Sequence, residues 1–105
     1  MSMYKVDAEQ VRFDQPKRYL SERPDFRVTP ATRYPYRREP YARGRVRLES
    51  GGFEIIDAKG VSQTSGHVLL SWADEQLQTH SAWVRKESAR PIERDVSRYR
   101  DPYDL

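Results

Sequence analysis

From residue 45 onward the chain alternates polar and apolar side chains with the two-residue period of half-buried strands. Arg45-Val46-Arg47-Leu48-Glu49 is a first strand, and Ser50-Gly51-Gly52 after it is turn chemistry. Phe53-Glu54-Ile55-Ile56-Asp57 is the second strand, ended by Ala58-Lys59-Gly60, and 61–66 is expected as a polar loop. His67-Val68-Leu69-Leu70-Ser71-Trp72 carries the strongest strand signal in the chain. Ala73-Asp74-Glu75-Gln76 turns the chain back, and 77–84 returns as a strand rich in Thr, Trp and Val. Arg85-Lys86-Glu87-Ser88 has room for one helical turn, and Ala89-Arg90-Pro91-Ile92-Glu93 closes as an edge strand, where proline is tolerated. Five short strands in about fifty residues are expected to curl into a small barrel or sandwich, because so short an open sheet buries too little.

The chain ahead of these strands has a different texture. Five of its seven prolines stand at positions 16, 24, 30, 35 and 40. Between Pro16 and Arg43 the large aliphatics are Leu20 and Val28, joined by Phe26, Tyr19, Tyr34, Tyr36 and Tyr41. Each proline bars helix for its predecessor and removes a backbone donor, so 24–40 is expected to be extended and polyproline-II-like. At the N-terminus, 3–8 alternates as a strand would, whereas 7–13 makes two helical turns with Asp7 as cap; the short helix is the favoured reading.

Val68-Leu69-Leu70-Ser71-Trp72, a polar hairpin, Trp83-Val84, a one-turn spacer and Arg90-Pro91-Ile92 together resemble the last three strands of an SH3-like small barrel, with the layout of Tudor-type and KOW-type domains. The resemblance covers about 44–94 and concerns topology, which implies a fold and leaves function open. The resemblance implies the barrel alone; joined to the proline pattern ahead of it and the charged stretch after it, the chain is expected to be mainly β in three parts. These are an extended Pro/Arg/Tyr-rich arm over 1–43, a small five-stranded SH3-like barrel over 44–94 and a short charged tail over 95–105. Characterised domains of this kind are mostly binding modules for proteins or nucleic acids within larger assemblies.

Strand alternation places Val68, Leu70 and Trp72 on one face and Leu69 on the other. With Ala82 and Val84 turned inward, Leu69 and Trp83 form an outward apolar patch, unless a bulge turns Trp83 into the core. Such a patch suits a Pro-Tyr segment, and Arg33-Tyr34-Pro35-Tyr36 supplies one from the same chain or a neighbouring copy.

Charge sharpens the division. Residues 1–48 hold 12 Lys+Arg and 6 Asp+Glu, a net of +6, and 49–105 hold 7 and 10, a net of −3; these sum to the overall +3. Six arginines within fifteen residues, Arg33, Arg37, Arg38, Arg43, Arg45 and Arg47, are interleaved with Tyr34, Tyr36 and Tyr41. Arg and Tyr dominate interface hot spots, so Arg33, Tyr34, Tyr36, Arg37, Arg38, Tyr41 and Arg43 are the expected contacts to a protein partner or neighbouring subunit. The same strip suits nucleic acid, with Arg37, Arg38, Arg43, Arg45 and Arg47 on phosphates and the tyrosines stacking on bases. The arginine excess also runs through the whole chain, 15 of 19 basic residues, which weakens that alternative.

Composition excludes several classes. The chain has no cysteine, so neither a disulfide framework nor a thiolate metal site forms. Apolar runs stop at three residues, too short for a membrane-spanning helix, and Met1 to Asp7 lacks the apolar stretch of a secretory signal. A cytoplasmic location, or a cytoplasmically assembled particle such as a virion, is expected. No Gly-x-Ser-x-Gly elbow and no phosphate-loop glycine pattern is present. His67 and His80 fall on neighbouring strands, which keeps a small ribonuclease or toxin as a minor alternative through general acid–base chemistry. No catalytic residue, metal, cofactor or small-molecule substrate is expected. The leading expectation is a non-enzymatic interaction and assembly protein, in the manner of a phage virion component or another small phage protein, whose basic arm staples its partner.

Overall fold

The computed structural model describes residues 17–104, so the helix expected at 7–13 lies outside the described residues. The protein is mainly β. Its strands are β1 (Thr32–Arg33), β2 (Tyr41–Arg47), β3 (Phe53–Gln63), β4 (His67–Ala73), β5 (Thr79–Arg85) and β6 (Ala89–Pro91), with 3₁₀ turns at Lys86–Ser88 and Arg94–Val96. They form one antiparallel sheet in the order β5-β4-β3-β2-β6, with β1 added to β3.

Two expectations about the strands are corrected. Among the described residues six strands pair where five were expected, and they do not close into a barrel through strand pairing. The second strand does not stop at Ala58-Lys59-Gly60; β3 runs on to Gln63, through the stretch expected as loop. A register shift between Gly60 and Ser62 lets β3 carry an extra residue and bend. Ala58, Lys59, Gly60 and Ser62, weak strand formers, stay in this strand because it has partners on both sides. β4 pairs Ser62 with Leu69 on one side, and β1 pairs Ser62 with Arg33 on the other.

The proline-rich segment is not a free polyproline helix. It meets the end of β3 at two places, over 32–34 and at Pro40. Gly60 N donates to Pro40 O at 2.8 Å and Tyr34 N to Val61 O at 3.2 Å. The ladder is interrupted between Tyr34 and Tyr41, where Pro35 and Pro40 lack the donors to continue it.

The segment nearest the described N-terminus closes the side of the sheet that the strands leave open. Leu20 N donates to Arg47 O at 2.8 Å and Glu49 N to Arg18 O at 2.8 Å, at the end of β2. Two residues further on, Glu22 N donates to Trp83 O at 2.8 Å and Trp83 N donates to the Ser21 hydroxyl at 2.9 Å, along the outer edge of β5. Residues 18–22 thus join β2 to β5, and they satisfy edge groups that would otherwise invite another strand.

Within this curl the inner face packs Ala42, Val46, Ala58, Leu70, Trp72, Ala82 and Val84, with Tyr19, Ile56, Val68, Ala89 and Tyr99 against them. Tyr19 meets Trp72 edge to face at 5.0 Å between centroids, so the arm contributes to the core itself. Gly44 gives Leu70 the room it occupies, since a Cβ there would lie 2.6 Å from Leu70 Cδ1. Gly51 and Gly52 take φ of 105° and 74° in the β2–β3 turn, a region glycine enters without penalty.

Candidate functional site

The period-two pattern of Tyr41-Ala-Arg-Gly-Arg-Val-Arg47 sends Ala42, Gly44 and Val46 inward and Tyr41, Arg43, Arg45 and Arg47 to the outer face. The β2–β3 register sets Arg43 opposite Asp57, Arg45 opposite Ile55 and Arg47 opposite Phe53, and β6 sets Arg90 beside Arg43. Phe53 and Ile55 are 50% and 46% exposed, high values for large apolar side chains inside a paired strand. The Arg45 guanidinium lies 4.0 Å from the Phe53 ring centre, a cation–π contact. A groove of about 530 Å³ runs past this row, walled by Arg43, Arg45, Ile55, Glu87 and Arg90.

Arg43 is engaged elsewhere. Asp57, with its side chain 1% exposed, accepts from Arg43 Nε at 2.7 Å and Nη2 at 3.1 Å. It also accepts from Arg98 N at 2.8 Å and Arg98 Nε at 3.3 Å. These bonds, the Arg43 pair foremost, hold the Asp57 carboxyl well below the usual carboxylate range. One turn of pleat away, the Lys59 ammonium is buried among Asp101 at 3.3 Å, Asp104 at 3.4 Å and Glu39 at 3.9 Å. Burial lowers its affinity for a proton, but the carboxylates outweigh this and raise it. The Tyr41 hydroxyl donates to Asp104 at 2.9 Å and accepts from Asp101 N at 3.1 Å. The tail is therefore clasped to β2 and β3 by two buried charges that sit on the outer face, with Tyr99 packed on the core.

The arm residues singled out from the sequence are dispersed. Arg33 is in β1, and Tyr34 is half-buried against β3. Tyr36, Arg37 and Arg38 are the exposed tip of a turn that Arg38 N closes on Pro35 O at 2.9 Å. Arg37 takes the left-handed φ of 63°, and its N–H is held by Glu39 Oε1 at 2.6 Å. Tyr41 and Arg43 belong to β2 and hold the tail. Of the nucleic-acid set, Arg45 and Arg47 share the outer face with Arg43, whereas Arg37 and Arg38 stand on the separate turn.

Leu69 and Trp83 are directly opposed on β4 and β5. Trp83 is 8% exposed because the arm lies over it, with the Phe26 ring 5.3 Å away and Arg23 over Phe26 at 5.2 Å. The segment that covers Trp83 is Ser21–Phe26; Arg33-Tyr34-Pro35-Tyr36 lies along β3 instead.

The histidines are set apart. His67 pairs with Arg85 and His80 with Trp72, five positions along the ladder, or roughly 17 Å at strand rise. His80 Nε2 lies 2.9 Å from Asp74 Oδ2, and its ring stacks on Trp72 and meets Tyr19 edge-on. Nearby, Tyr19 donates to Glu54 Oε2 at 2.9 Å; burial and then Glu54 push the Tyr19 hydroxyl up. Beyond Lys59 and Ser71, β3 and β4 part, and an open cleft of about 950 Å³ lies between them, lined by Tyr19, Glu54, Trp72, Asp74 and Tyr99. Among the described residues no group of three or more metal-ligating side chains comes together, and no helix is long and apolar enough to cross a membrane.

Phe53 and Ile55 stand outside the contact residues expected from the sequence. Their signal was present: positions 53, 55 and 57 share one face of a strand, so that face mixes two large apolar groups with a carboxylate. Comparison with protein-family models, with curated proteins and with solved structures finds no match for the chain.

Proposed function

We propose that the chain is a non-enzymatic interaction module of SH3-like layout, working within a larger assembly, and that its partner sits on the outer face of β2, β3 and β6. The layout is supported by the order β6-β2-β3-β4-β5 and by the single 3₁₀ turn, Lys86–Ser88, that precedes the last strand. The observation that carries the partner face is the half-exposed pair Phe53 and Ile55, set among Arg45, Arg47 and Arg90. Aromatic residues and arginine are the side chains that interfaces enrich and that dominate their energetics. Residues 18–34 belt the domain they belong to, so the contact surface is a rigid sheet face, with the Tyr36–Arg38 turn as a second point of attachment.

The test is native co-purification of the wild-type chain and of a Phe53→Ser/Ile55→Ser variant, each checked for an unchanged melting curve. A partner of either kind, protein or nucleic acid, is expected with the wild type and lost with the variant. Equal retention by both would sink the proposal.

A further inference from the structure

We infer that the partner on this face is single-stranded nucleic acid, with Arg45, Arg47 and Arg90 on phosphates and a base stacked on Phe53. The inference rests on the preceding assignment of the face as the partner surface. Three observations select this occupant.

First, the cations on the face divide into spent and free. Arg43 and Arg98 are paired with Asp57, Arg94 with Asp104, and Lys59 with the tail carboxylates. Arg45, Arg47 and Arg90 are exposed and make no ion pair with any described residue. Three arginines on one small sheet face, with Glu87 the one acid in the groove wall, complement a repeating anion.

Second, the free cations are interleaved with a stacking surface. Phe53 lies directly across from Arg47, and Ile55 lies across from Arg45; the exposed Arg45 guanidinium, 4.0 Å from the Phe53 ring centre, swings off the ring to a phosphate as a base takes its place. Single strands are held by this combination, a positive track along the backbone and aromatic rings for the bases. A duplex hides its base faces, so Phe53 and Ile55 would have nothing to stack on and would lose water for no return.

Third, the geometry repeats. Arg45 and Arg47 are alternate residues on one strand, roughly 7 Å apart at their Cα atoms. That is the scale on which phosphates recur along a stretched single strand. Arg90 stands two strands from Ile55 across β2 and extends the track sideways over the groove.

The experiment is fluorescence anisotropy of labelled mixed-sequence single-stranded RNA and DNA, with a duplex of the same length, titrated with the full chain at two salt concentrations. Single strands are expected to bind more tightly than the duplex, and more weakly as salt rises. Arg45→Gln/Arg47→Gln is expected to lower the slope of log affinity against log salt by about 1.4, two phosphate contacts' worth. Phe53→Ser is expected to weaken binding roughly 5- to 160-fold, and Phe53→Tyr, which keeps a ring, to restore most of it. Arg27→Gln, which removes a single charge from the arm, is expected to leave the affinity within about twofold, because the net-charge effect alone is small.

No binding by the full chain at low salt overturns the inference. So does binding that the Arg45/Arg47 and Phe53 variants leave unchanged, or a duplex bound as well as the single strand. Should nucleic acid fail while the Phe53→Ser/Ile55→Ser variant still loses a co-purifying protein, the occupant is wrong and the face is right. Should both experiments be null, the face assignment falls with the inference.

Discussion

Replacing Asp57 with asparagine probes the charge that fastens the tail to the sheet. The carboxylate is 1% exposed and accepts four hydrogen bonds, two from Arg43 and two from Arg98. Asparagine keeps the shape, cancels the charge and turns an amide donor toward groups that are themselves donors. Removing one member of a fully buried pair costs about 3–5 kcal/mol, because the other is left unpaired and dry. Here the arginine side chains are 29% and 68% exposed, so both regain water once released. The expected loss is therefore smaller, about 2 kcal/mol, and in a domain of this size that is about 10 °C in Tm.

The assays are thermal and denaturant melts at neutral pH, with trypsin cleavage at Arg98 and Arg100 as a readout of tail release. Arg98→Ala serves as the control for a mostly exposed partner and is expected to cost under about 1 kcal/mol. The pH dependence has a definite sign. The Asp57 carboxyl is depressed in the folded protein, so its contribution is complete above the unfolded value of about 3.9 and is lost as pH falls below it. The gap between wild type and Asp57→Asn should hold steady above about pH 5 and shrink on acidification. An Asp57→Asn protein within about 0.5 kcal/mol of wild type, or a gap that widens in acid, refutes the account.

Three further predictions follow from the packing. Gly44→Ala forces a methyl against the buried Leu70 and is expected to cost about 1–3 kcal/mol in a denaturant melt; no loss would mean that the inner face has room to give. Trp83→Ala removes the seat of Phe26 and is expected to cost about 3 kcal/mol and to speed trypsin cleavage at Arg27, whereas unchanged cleavage would show that the arm is held without it. The hydroxyls of Tyr19, Tyr41 and Tyr99 are all pushed up, by burial first, so stability should fall as pH rises past about 10, the unfolded value. An ultraviolet titration of the folded chain should then show three tyrosines ionising late, and Tyr19→Phe should blunt the alkaline loss.

Much of the fold was legible in local alternation. The inward set Val68, Leu70, Trp72, Ala82 and Val84 follows from the two-residue period alone, since opposite faces of a pleat must meet opposite surroundings. The Gly51-Gly52 turn, the one-turn spacer at Lys86–Ser88 and the edge strand at Pro91 were equally local, each fixed by backbone freedom or its absence.

What escaped was decided by residues far apart in the chain. The extension of β3 through Lys59, Gly60 and Ser62 overrides their weak strand propensity because β1 and β4 bond it on both sides. The basic strip from Arg33 to Arg47 is contiguous in sequence, yet β1 and the turn at Tyr36–Arg38 hold its first half apart from the outer face of β2, where Arg43, Arg45 and Arg47 stand together. The burial of Asp57 and Lys59 depends on a tail that returns 41 and 42 residues later. The arm becomes a seam because Ser21 meets Trp83, 62 residues on. A period read along one strand determines which way each side chain faces. Which of those faces is then covered is settled by chain closure over tens of residues, whose entropy is repaid only when the whole sheet has formed.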